Sequence, residues 1–284
     1  MGRKKISGGV DMNEISETRI NVILHRYLLQ TQKGKLYPDA IPVQTMERVL
    51  DLGCGTGEWL FDLAKQQPKL HMYGLDIDQR VLHQAIVRRN AGSMRKVELR
   101  HIDPRFPLPL PDESVDFVHM QGCSRFIAPE NWPYMIAEGI RVLKPEGWMM
   151  LIELDLGNIS GSACQALLYA LRQTLENMRL ALHNEAMPGL TQHLYGMLLD
   201  ASLEDVRYDL HTIDLGFKGA SEARLLLSQF VQSALIIKPL IVQQGIYSTA
   251  EFDRLVVEAE QELYDPDLCG WAMLVSAYGR KPKG

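Results

Sequence analysis

The chain has 284 residues, enough for one large α/β domain with added elements or for two small domains with separate cores. Apolar residues make up 46% and charged residues 23%, a balance that excludes a largely disordered chain. The formal net charge of −5 argues against a protein whose main task is to neutralise nucleic acid phosphates. A small molecule or another protein is therefore the expected partner, and no nucleic acid.

The cysteines and the apolar stretches indicate which compartment to expect and whether the chain spans a membrane. The four cysteines lie far apart without a CxxC pair, and the N-terminus carries no apolar run typical of a secretory signal. The most apolar late stretch, 225–242, is interrupted by polar residues and a proline, too often for a hydrocarbon-spanning helix. We therefore expect a cytoplasmic protein with reduced thiols and no membrane span.

Short apolar strands alternate with helices in the first half of the chain. The pattern predicts an N-terminal helix at 11–32, strands at 48–52, 71–75, 96–101, 115–120 and 148–154, and helices at 58–65, 79–90 and 132–142. This alternation is typical of βαβ units, in which right-handed crossovers join parallel strands. It predicts an α/β fold with a Rossmann-like, doubly wound sheet.

The second half of the chain follows another pattern. A helical region at 162–200 precedes a strand at 205–217, and a second helical region at 221–263 precedes a strand at 272–278. The two late strands bring the predicted sheet to seven strands, mostly parallel, with helical cap insertions. The expected parts are a flexible tail at 1–10, an N-terminal helical cap segment at 11–45, a Rossmann-like core at 46–160, a helical insertion at 161–204, and terminal strands at 205–284 with a lid insertion at about 219–263.

A glycine-rich loop follows the first strand. Gly53, Gly55 and Gly57 separate the strand from the next helix, and glycine is needed where backbone turns sharply and approaches a ligand. The spacing GxGxG differs from the GxGxxG of nicotinamide enzymes, in which a pyrophosphate lies at the helix N-terminus. With Asp51 two residues before the first glycine, the loop suits a ligand that has an amino group and no pyrophosphate. A purely structural turn is the alternative.

Two further acidic residues end the next strands. Asp76 ends the second strand, where a carboxylate accepts hydrogen bonds from both ribose hydroxyls of a nucleoside. Asp103 ends the third strand, in position to accept a hydrogen bond from an adenine amino group. Singly, each has the usual alternative of a helix cap or a surface acid. Together with the glycine loop they predict a nucleoside site.

Three stretches, VLDLGCGTG at 49–57, LPLPDESVDFV at 108–118 and RVLKPEGW at 141–148, resemble the class I S-adenosylmethionine-dependent methyltransferases. The closer likeness is to a small-molecule, secondary-metabolism branch abundant in fungi, through the fourth strand, the helix after it and the terminal AYGRKP strand. Two departures are Glu146 in place of the first glycine of a pair and one extra residue between Asp103 and Asp112. The resemblance implies S-adenosylmethionine as cofactor and S-adenosylhomocysteine as product.

The resemblance also implies roles for individual residues. The glycine loop contacts the methionine moiety, Asp76 holds the ribose, Asp103 reads the adenine, and two isoleucines flank the adenine ring. The turn around Gln121 meets the methionine end through backbone groups. The cofactor-binding residues expected on these grounds are Asp51, Gly53, Cys54, Gly55, Gly57, Asp76, Ile77, Ile102, Asp103 and Gln121.

The catalytic residues are less sharply indicated. Methyl transfer is an in-line displacement, in which alignment of donor and acceptor contributes most and a general base is optional. Glu153 is the first candidate because it ends an apolar strand at the carboxyl edge of the sheet, and a structural pair with a nearby arginine is an equal alternative. His119, His25 and Tyr27 are further candidates, although a lone histidine is more often structural. No histidine or cysteine pair has metal-ligand spacing, so we expect no metal.

The substrate class depends on the inserted helices. The stretch 225–241 is more apolar than one core-facing stripe requires, which indicates a lid over a lipophilic acceptor, a subunit interface or plain packing on the sheet. The leading hypothesis is a methyltransferase for a small, apolar secondary metabolite, with a homodimer through the inserted helices. The alternative is a catalytically silent S-adenosylmethionine-binding regulator or partner protein.

Overall fold

The computed structural model describes residues 22, 25, 26, 29, 30, 32–92, 94–125, 127, 129–177, 191, 193–216 and 221–284. The strands are β1 (Arg48–Leu52), β2 (His71–Asp76), β3 (Val97–His101), β4 (Val115–Gln121), β5 (Leu143–Ile159), β6 (Glu204–Asp214) and β7 (Gly270–Arg280). They form one sheet of seven strands in the order β3-β2-β1-β4-β5-β7-β6. The expected tail at 1–10 and the start of the expected lid at 219–220 lie outside the described residues.

The sheet is parallel from β1 to β5, and β7 runs antiparallel between β5 and β6. The predicted mostly parallel, seven-stranded sheet is confirmed. Because β1 pairs with β2 on one side and with β4 on the other, the strand order reverses at β1. In doubly wound sheets a crevice opens at this reversal, beyond the carboxyl ends of the strands.

Helices cover both faces of the sheet. They are α1 (Glu58–Gln66), α2 (Gln79–Ala91), α3 (Trp132–Val142), α4 (Ser162–Asn177), α5 (Leu194–Asp200), α6 (Ser221–Gln243) and α7 (Thr249–Glu262). Buried residues of α1, α4, α6 and α7 belong to one apolar core, and those of α3 and α5 belong to the other. Short 3-10 turns lie at Val43–Thr45, Cys123–Arg125 and Pro129–Asn131.

The structure gives the bounds of the predicted helical regions and lengthens one predicted strand. The region 221–263 holds α6 and α7, because Gly245 adopts a left-handed φ of 70° and Ser248 then starts α7 with a capping box to Glu251. In the region 162–200, the described residues form α4 and α5. β5 is longer than 148–154, because its ends pair with β4 at Leu143 and with β7 up to Ile159.

Helix α6 corresponds to the expected lid. Its described buried residues pack into the core shared with α4 and α7, so plain packing accounts for them: Leu226, Leu227, Phe230, Val231, Ala234 and Ile241. By length and composition alone, Leu226–Gln243 is also long and apolar enough to cross a membrane, with a mean hydropathy of 1.3. Core helices of globular proteins pass the same test, so the expectation of no membrane span stays a prediction.

Candidate functional site

The glycine loop lies at the reversal of strand order. Gly53, Gly55 and Gly57 all have left-handed φ angles, of 80°, 55° and 81°. The amides of Gly53 and Cys54 donate to the Leu75 carbonyl, at 2.7 and 3.1 Å, and attach the loop to β2. A Cβ at Gly57, the N-cap of α1, would lie 2.5 Å from the Phe61 ring. The loop conformation therefore requires glycine at these positions.

Asp76 attaches the loop to the end of β2. Its Oδ2 accepts from the Gly55 amide at 2.7 Å, and its Oδ1 accepts from the Asp78 amide at 2.8 Å. Burial raises the pKa of Asp76 above its ordinary value, although both amides act in the opposite direction. A carboxylate has about four acceptor positions, so each oxygen can accept a further hydrogen bond.

A large cavity opens against this loop, with about 880 Å³ of empty volume that includes open solvent. Residues from β2, the loop after β3, and α3 line it. Six of the residues expected to bind cofactor are among them: Gly53, Gly55, Asp76, Ile77, Ile102 and Gln121. Sequence reasoning missed two other lining residues, Asn131 and Met135. Both belong to α3 or its N-cap, and the amphipathic pattern of this helix could have indicated them.

A smaller cavity of about 420 Å³ lies on the other side of the loop and shares Gly53, Gly55 and Gln121 with the large one. Its wall is more polar, and its further lining residues come from the N-terminal segment, β1, α1 and β4. They are His25, Asp51, Cys54, Thr56, Glu58, Trp59, His119 and Gly122. The two cavities together form an elongated site around the glycine loop.

A buried Asp51–His119 pair forms one wall of the smaller cavity. The Nδ1 of His119 lies 2.8 Å from Oδ1 of Asp51, and both side chains are buried. The indole of Trp59 stacks on the imidazole with ring centroids 3.7 Å apart and planes 12° apart. The carboxylate and the indole fix the orientation of the ring and hold its Nε2 at the cavity wall.

Three buried polar atoms around this cavity have no hydrogen-bond partner among the described residues. They are His119 Nε2, Gln121 Oε1 and His25 Nδ1. The other nitrogen of His25, Nε2, lies 3.0 Å from Asp62 on α1. Because buried polar atoms are nearly always paired, three such atoms at one cavity indicate a polar ligand.

Asp103 and Gly57 do not line either cavity, contrary to expectation. The Arg105 guanidinium donates to both Asp103 oxygens, with Nε–Oδ1 at 2.9 Å and Nη2–Oδ2 at 2.6 Å. This pairing, with the Arg105 amide, lowers the pKa of Asp103 to about 2. An adenine amino group would therefore have to share Asp103 with Arg105. Gly57 serves to start α1.

The expected catalytic residues do not come together at one point. Glu153 is buried at β5, away from the lining of both cavities, and accepts from the Ser124 amide at 3.1 Å and hydroxyl at 2.7 Å. His119 and His25 share the smaller cavity. Tyr27 lies outside the described residues.

Cys54 is not a reactive thiol in this environment. Burial, and next the carboxylates of Asp51 and Asp76, raise the pKa of Cys54 well above its ordinary value.

Among the residues that the structure describes, no group of three or more histidine, cysteine, aspartate or glutamate side chains is arranged to hold a metal ion.

Comparison with known proteins shows what the part of the chain around this site is similar to. Residues 49–147 match the methyltransferase domain family. The chain is 30% identical to a demethylmenaquinone methyltransferase of Listeria welshimeri over 56% of its own length and 63% of the relative's. It is also 30% identical to the secondary metabolism regulator laeA of Monascus pilosus, over 83% of its own length and 64% of the relative's. The chain thus spans less than two thirds of these curated relatives.

A solved structure shows the same fold. Phosphoethanolamine N-methyltransferase 2 of Haemonchus contortus, bound to phosphomonomethylethanolamine and S-adenosylhomocysteine, aligns with a TM-score of 0.51 at 17% identity. The alignment covers 93% of this chain and 52% of that one. The fungal relative agrees with the likeness to the secondary-metabolism branch. From this match and the glycine loop that it contains, residues 49–147 form a methyltransferase domain, which agrees with the resemblance to the S-adenosylmethionine-dependent methyltransferases.

Proposed function

We propose that this chain binds S-adenosylmethionine around the glycine loop and transfers its methyl group to a small, apolar acceptor. The observation that carries the proposal is the pair of cavities that meet at Gly53, Gly55 and Gln121. One is large and contains apolar walls, and the other is small and holds three unpartnered polar atoms. This division suits a ligand with a nucleoside at one end and an amino acid at the other.

The adenosine half would lie in the large cavity. Ile77 and Ile102 offer apolar surfaces for the base, and Asp76 has free acceptor positions for the ribose hydroxyls. The amino acid half would lie in the smaller cavity. There Gln121 Oε1 can accept from its ammonium group, and the free nitrogens of His119 and His25 can bind its polar atoms.

The bound cofactor supplies an electrophilic methyl group on a sulfonium. The chain's own contribution is alignment, since a fixed in-line geometry of donor and acceptor lowers the barrier by several kcal/mol. We assign His119 and His25 to cofactor binding rather than to proton removal, because both residues line the smaller cavity together with the glycine loop and each has an unpartnered buried nitrogen. Glu153 would position the turn after β4 through Ser124.

Two observations support an apolar acceptor. The large cavity is also lined by the apolar side chains of Ile127 and Met135. The Listeria relative is named for demethylmenaquinone, a lipophilic acceptor. The formal charge of −5 also disfavours nucleic acid as the acceptor.

The test begins with calorimetric titration of the purified chain with S-adenosylmethionine, S-adenosylhomocysteine and reduced nicotinamide dinucleotide. We expect micromolar binding of the first two and none of the third. Asp76→Ala should weaken binding of both by roughly ten- to a hundredfold, because the ribose hydroxyls lose their acceptor. The matched control is Asp39→Ala, an exposed carboxylate that pairs with Lys35 away from both cavities. Equal affinities for the Asp76 variant and the wild type would contradict the proposal.

A second candidate function is a silent S-adenosylmethionine-binding regulator. The name of the Monascus relative, a secondary metabolism regulator, favours it. Both candidates predict cofactor binding, so turnover separates them. Incubation with a panel of lipophilic phenols, quinols and polyketides should release S-adenosylhomocysteine if the chain is an enzyme. Release with no member of the panel, together with tight cofactor binding, would favour the regulator.

A further inference from the structure

Strand β6 forms one edge of the sheet. In the sheet order it stands last, beside β7, and the described residues provide no partner for its other side. An exposed edge strand presents unpaired amide and carbonyl groups that can pair with another strand. β6 has 11 residues, long for an edge strand.

An apolar patch follows one face of this edge. Tyr208 and Leu210 on β6 are both 56% exposed, and Leu199 on the neighbouring α5 is 48% exposed. The ring of Tyr195, also on α5, contacts the ring of Tyr208 edge to face, with centroids 5.7 Å apart. Contiguous exposed apolar surface of this kind marks an interaction site more often than isolated apolar residues do.

The opposite face of β6 carries an arginine, an aspartate and a histidine. Arg207, Asp209 and His211 lie opposite Tyr278, Ser276 and Leu274 of β7, on the face away from the apolar patch. Asp209 also bonds the Tyr278 hydroxyl, His211 contacts Gln32, and Asp205 pairs with Arg280 at 3.0 Å. These contacts hold these side chains in place along the edge.

We infer that β6 pairs antiparallel with β6 of a second copy of this chain, with Tyr208 opposite Tyr208 at the two-fold axis. In this register the two Tyr208 rings meet between the Tyr195 rings on the apolar side, next to Leu210. On the other side Arg207 faces Asp209 of the second copy, twice by symmetry. The pairing begins at Arg207, because β6 is irregular between Glu204 and Arg207, where Asp205 has a φ of 51°. A surface that complements itself in this way is what an isologous dimer requires.

The charges select this register over its neighbours. A shift that centres the pair on Asp209 places the two Asp209 carboxylates opposite each other. A shift to Arg207 places two guanidinium groups opposite each other. Like charges directly opposite destabilise a strand pair, and opposite charges stabilise it. The occupant that fits the edge is therefore a second copy, bound through β6 and the adjoining α5 and not through α6 and α7.

The first test is sedimentation velocity over a range of protein concentrations. We expect the wild type to dimerise at micromolar concentrations, and Leu210→Glu to be monomeric because it places a charge in the apolar row. The matched control is Val257→Glu on α7, which is also an exposed apolar residue, at 54%, and should dimerise as the wild type does. Calorimetric binding of S-adenosylhomocysteine, or circular dichroism if it does not bind, confirms that each variant is folded.

The second test reports the register and does not depend on the strength of the dimer. In a Cys269→Ser background, which removes the exposed thiol, Tyr208→Cys should form an intermolecular disulfide under mild oxidation. Leu210→Cys should not, because its copies lie four residues apart in the proposed register. A wild type that stays monomeric at 200 µM overturns the inference. So does a dimer that survives Leu210→Glu and does not cross-link through Tyr208→Cys.

Discussion

Asp51 and His119 form a buried hydrogen-bonded pair beside the glycine loop, and each depends on the other. If His119 is removed, the Asp51 carboxylate remains buried without this partner, at a cost of about 1–3 kcal/mol. We therefore expect His119→Ala to lower the free energy of unfolding by about 1–3 kcal/mol. The double variant Asp51→Asn/His119→Ala should be less destabilised than the sum of the two single variants.

Urea unfolding of the wild type, both single variants and the double variant measures this coupling. Additive losses would mean that the two side chains do not stabilise each other. His101→Ala serves as the control, since this histidine is exposed on β3 and contacts the Ile77 carbonyl. Its removal should cost little.

Some of these site residues could be predicted from the sequence, but their contacts could not. Asp51 and Asp76 followed from their positions at strand ends, because the carboxyl ends of parallel strands share one edge of the sheet. The partner of His119 did not follow, since Asp51 lies 68 residues away and the contact depends on the register in which Asp51 pairs with His119 across β1 and β4. For Asp103, the missed contact is local. Its position at the end of the third predicted strand suggested a contact with adenine, but it did not reveal the hydrogen bond from Arg105, two residues later in the chain.

At the scale of elements, the glycine loop combines two separate constraints at Gly53. Its φ of 80° disfavours any side chain, and a Cβ there would lie 2.8 Å from Cys123 Sγ. We expect Gly53→Ala to destabilise the chain by roughly 2–3 kcal/mol and to weaken binding of S-adenosylhomocysteine. Gly34→Ala isolates the backbone effect, because Gly34 has a φ of 83° and a Cβ added there would have no neighbour within 4 Å.

A third variant separates the two constraints. Gly53→Ala/Cys123→Ala removes the close contact and leaves the backbone strain. Thermal unfolding should therefore place it between the Gly53 variant and Gly34→Ala, after correction for Cys123→Ala alone. If Gly53→Ala were no worse than Gly34→Ala, the contact with Cys123 would contribute nothing.

The inserted helices are joined by one carboxylate. Glu262, at the end of α7, accepts from the amides of Ala163 and Cys164 at 2.9 and 2.8 Å and from the Ser162 hydroxyl at 3.1 Å, at the start of α4. Burial acts to raise the pKa of Glu262, but these donors outweigh it and hold the pKa below its ordinary value. We expect Glu262→Gln to lower stability by about 1 kcal/mol at pH 7, reduced by solvent screening, without changing cofactor affinity.

The pH dependence of this effect has a definite sign. A carboxylate whose pKa is lower in the folded state stabilises fully above its unfolded pKa of about 4.3, and this stabilisation is lost as the pH falls through the folded value. The difference in unfolding free energy between wild type and Glu262→Gln should therefore shrink between pH 7 and pH 3. Glu258→Gln, on the exposed side of the same helix, should show a much smaller difference at either pH.

Sequence reasoning found the strands and helical regions of both halves but misjudged the ends of β5. Strands β1 to β4 are short, apolar and bounded by loops, so their periodicity is clear. The C-terminal end of β5 is held by pairing with β7, which begins more than 100 residues later in the chain, so no local pattern marks it. Likewise the contact between Ser162 and Glu262 joins segments that only the fold brings together.

For the whole molecule, the two halves of the chain have different tasks. The loop, β2, β4 and the N-terminal segment surround the two cavities, whereas α4, α6 and α7 pack on the far strands of the sheet. The recognisable motifs lie in the half of the chain around the two cavities, because the backbone of the proposed cofactor site must fit one ligand. The inserted helices carry none, since many apolar sequences pack equally well on a sheet, and the acceptor was not predictable for this reason.

The N-terminal segment closes the smaller cavity through His25, which contacts Asp62 on α1. If His25 Nδ1 binds the amino acid end of the cofactor, His25→Ala should weaken S-adenosylhomocysteine binding by about tenfold, the value of one hydrogen bond to a charged group. The neighbouring Arg26 is exposed, so Arg26→Ala should bind as the wild type does. Methylthioadenosine lacks the amino acid end of the cofactor and serves as a control ligand. Its affinity should be the same for His25→Ala and for the wild type. A loss of affinity for both ligands would instead mean that His25 acts by packing the segment onto α1.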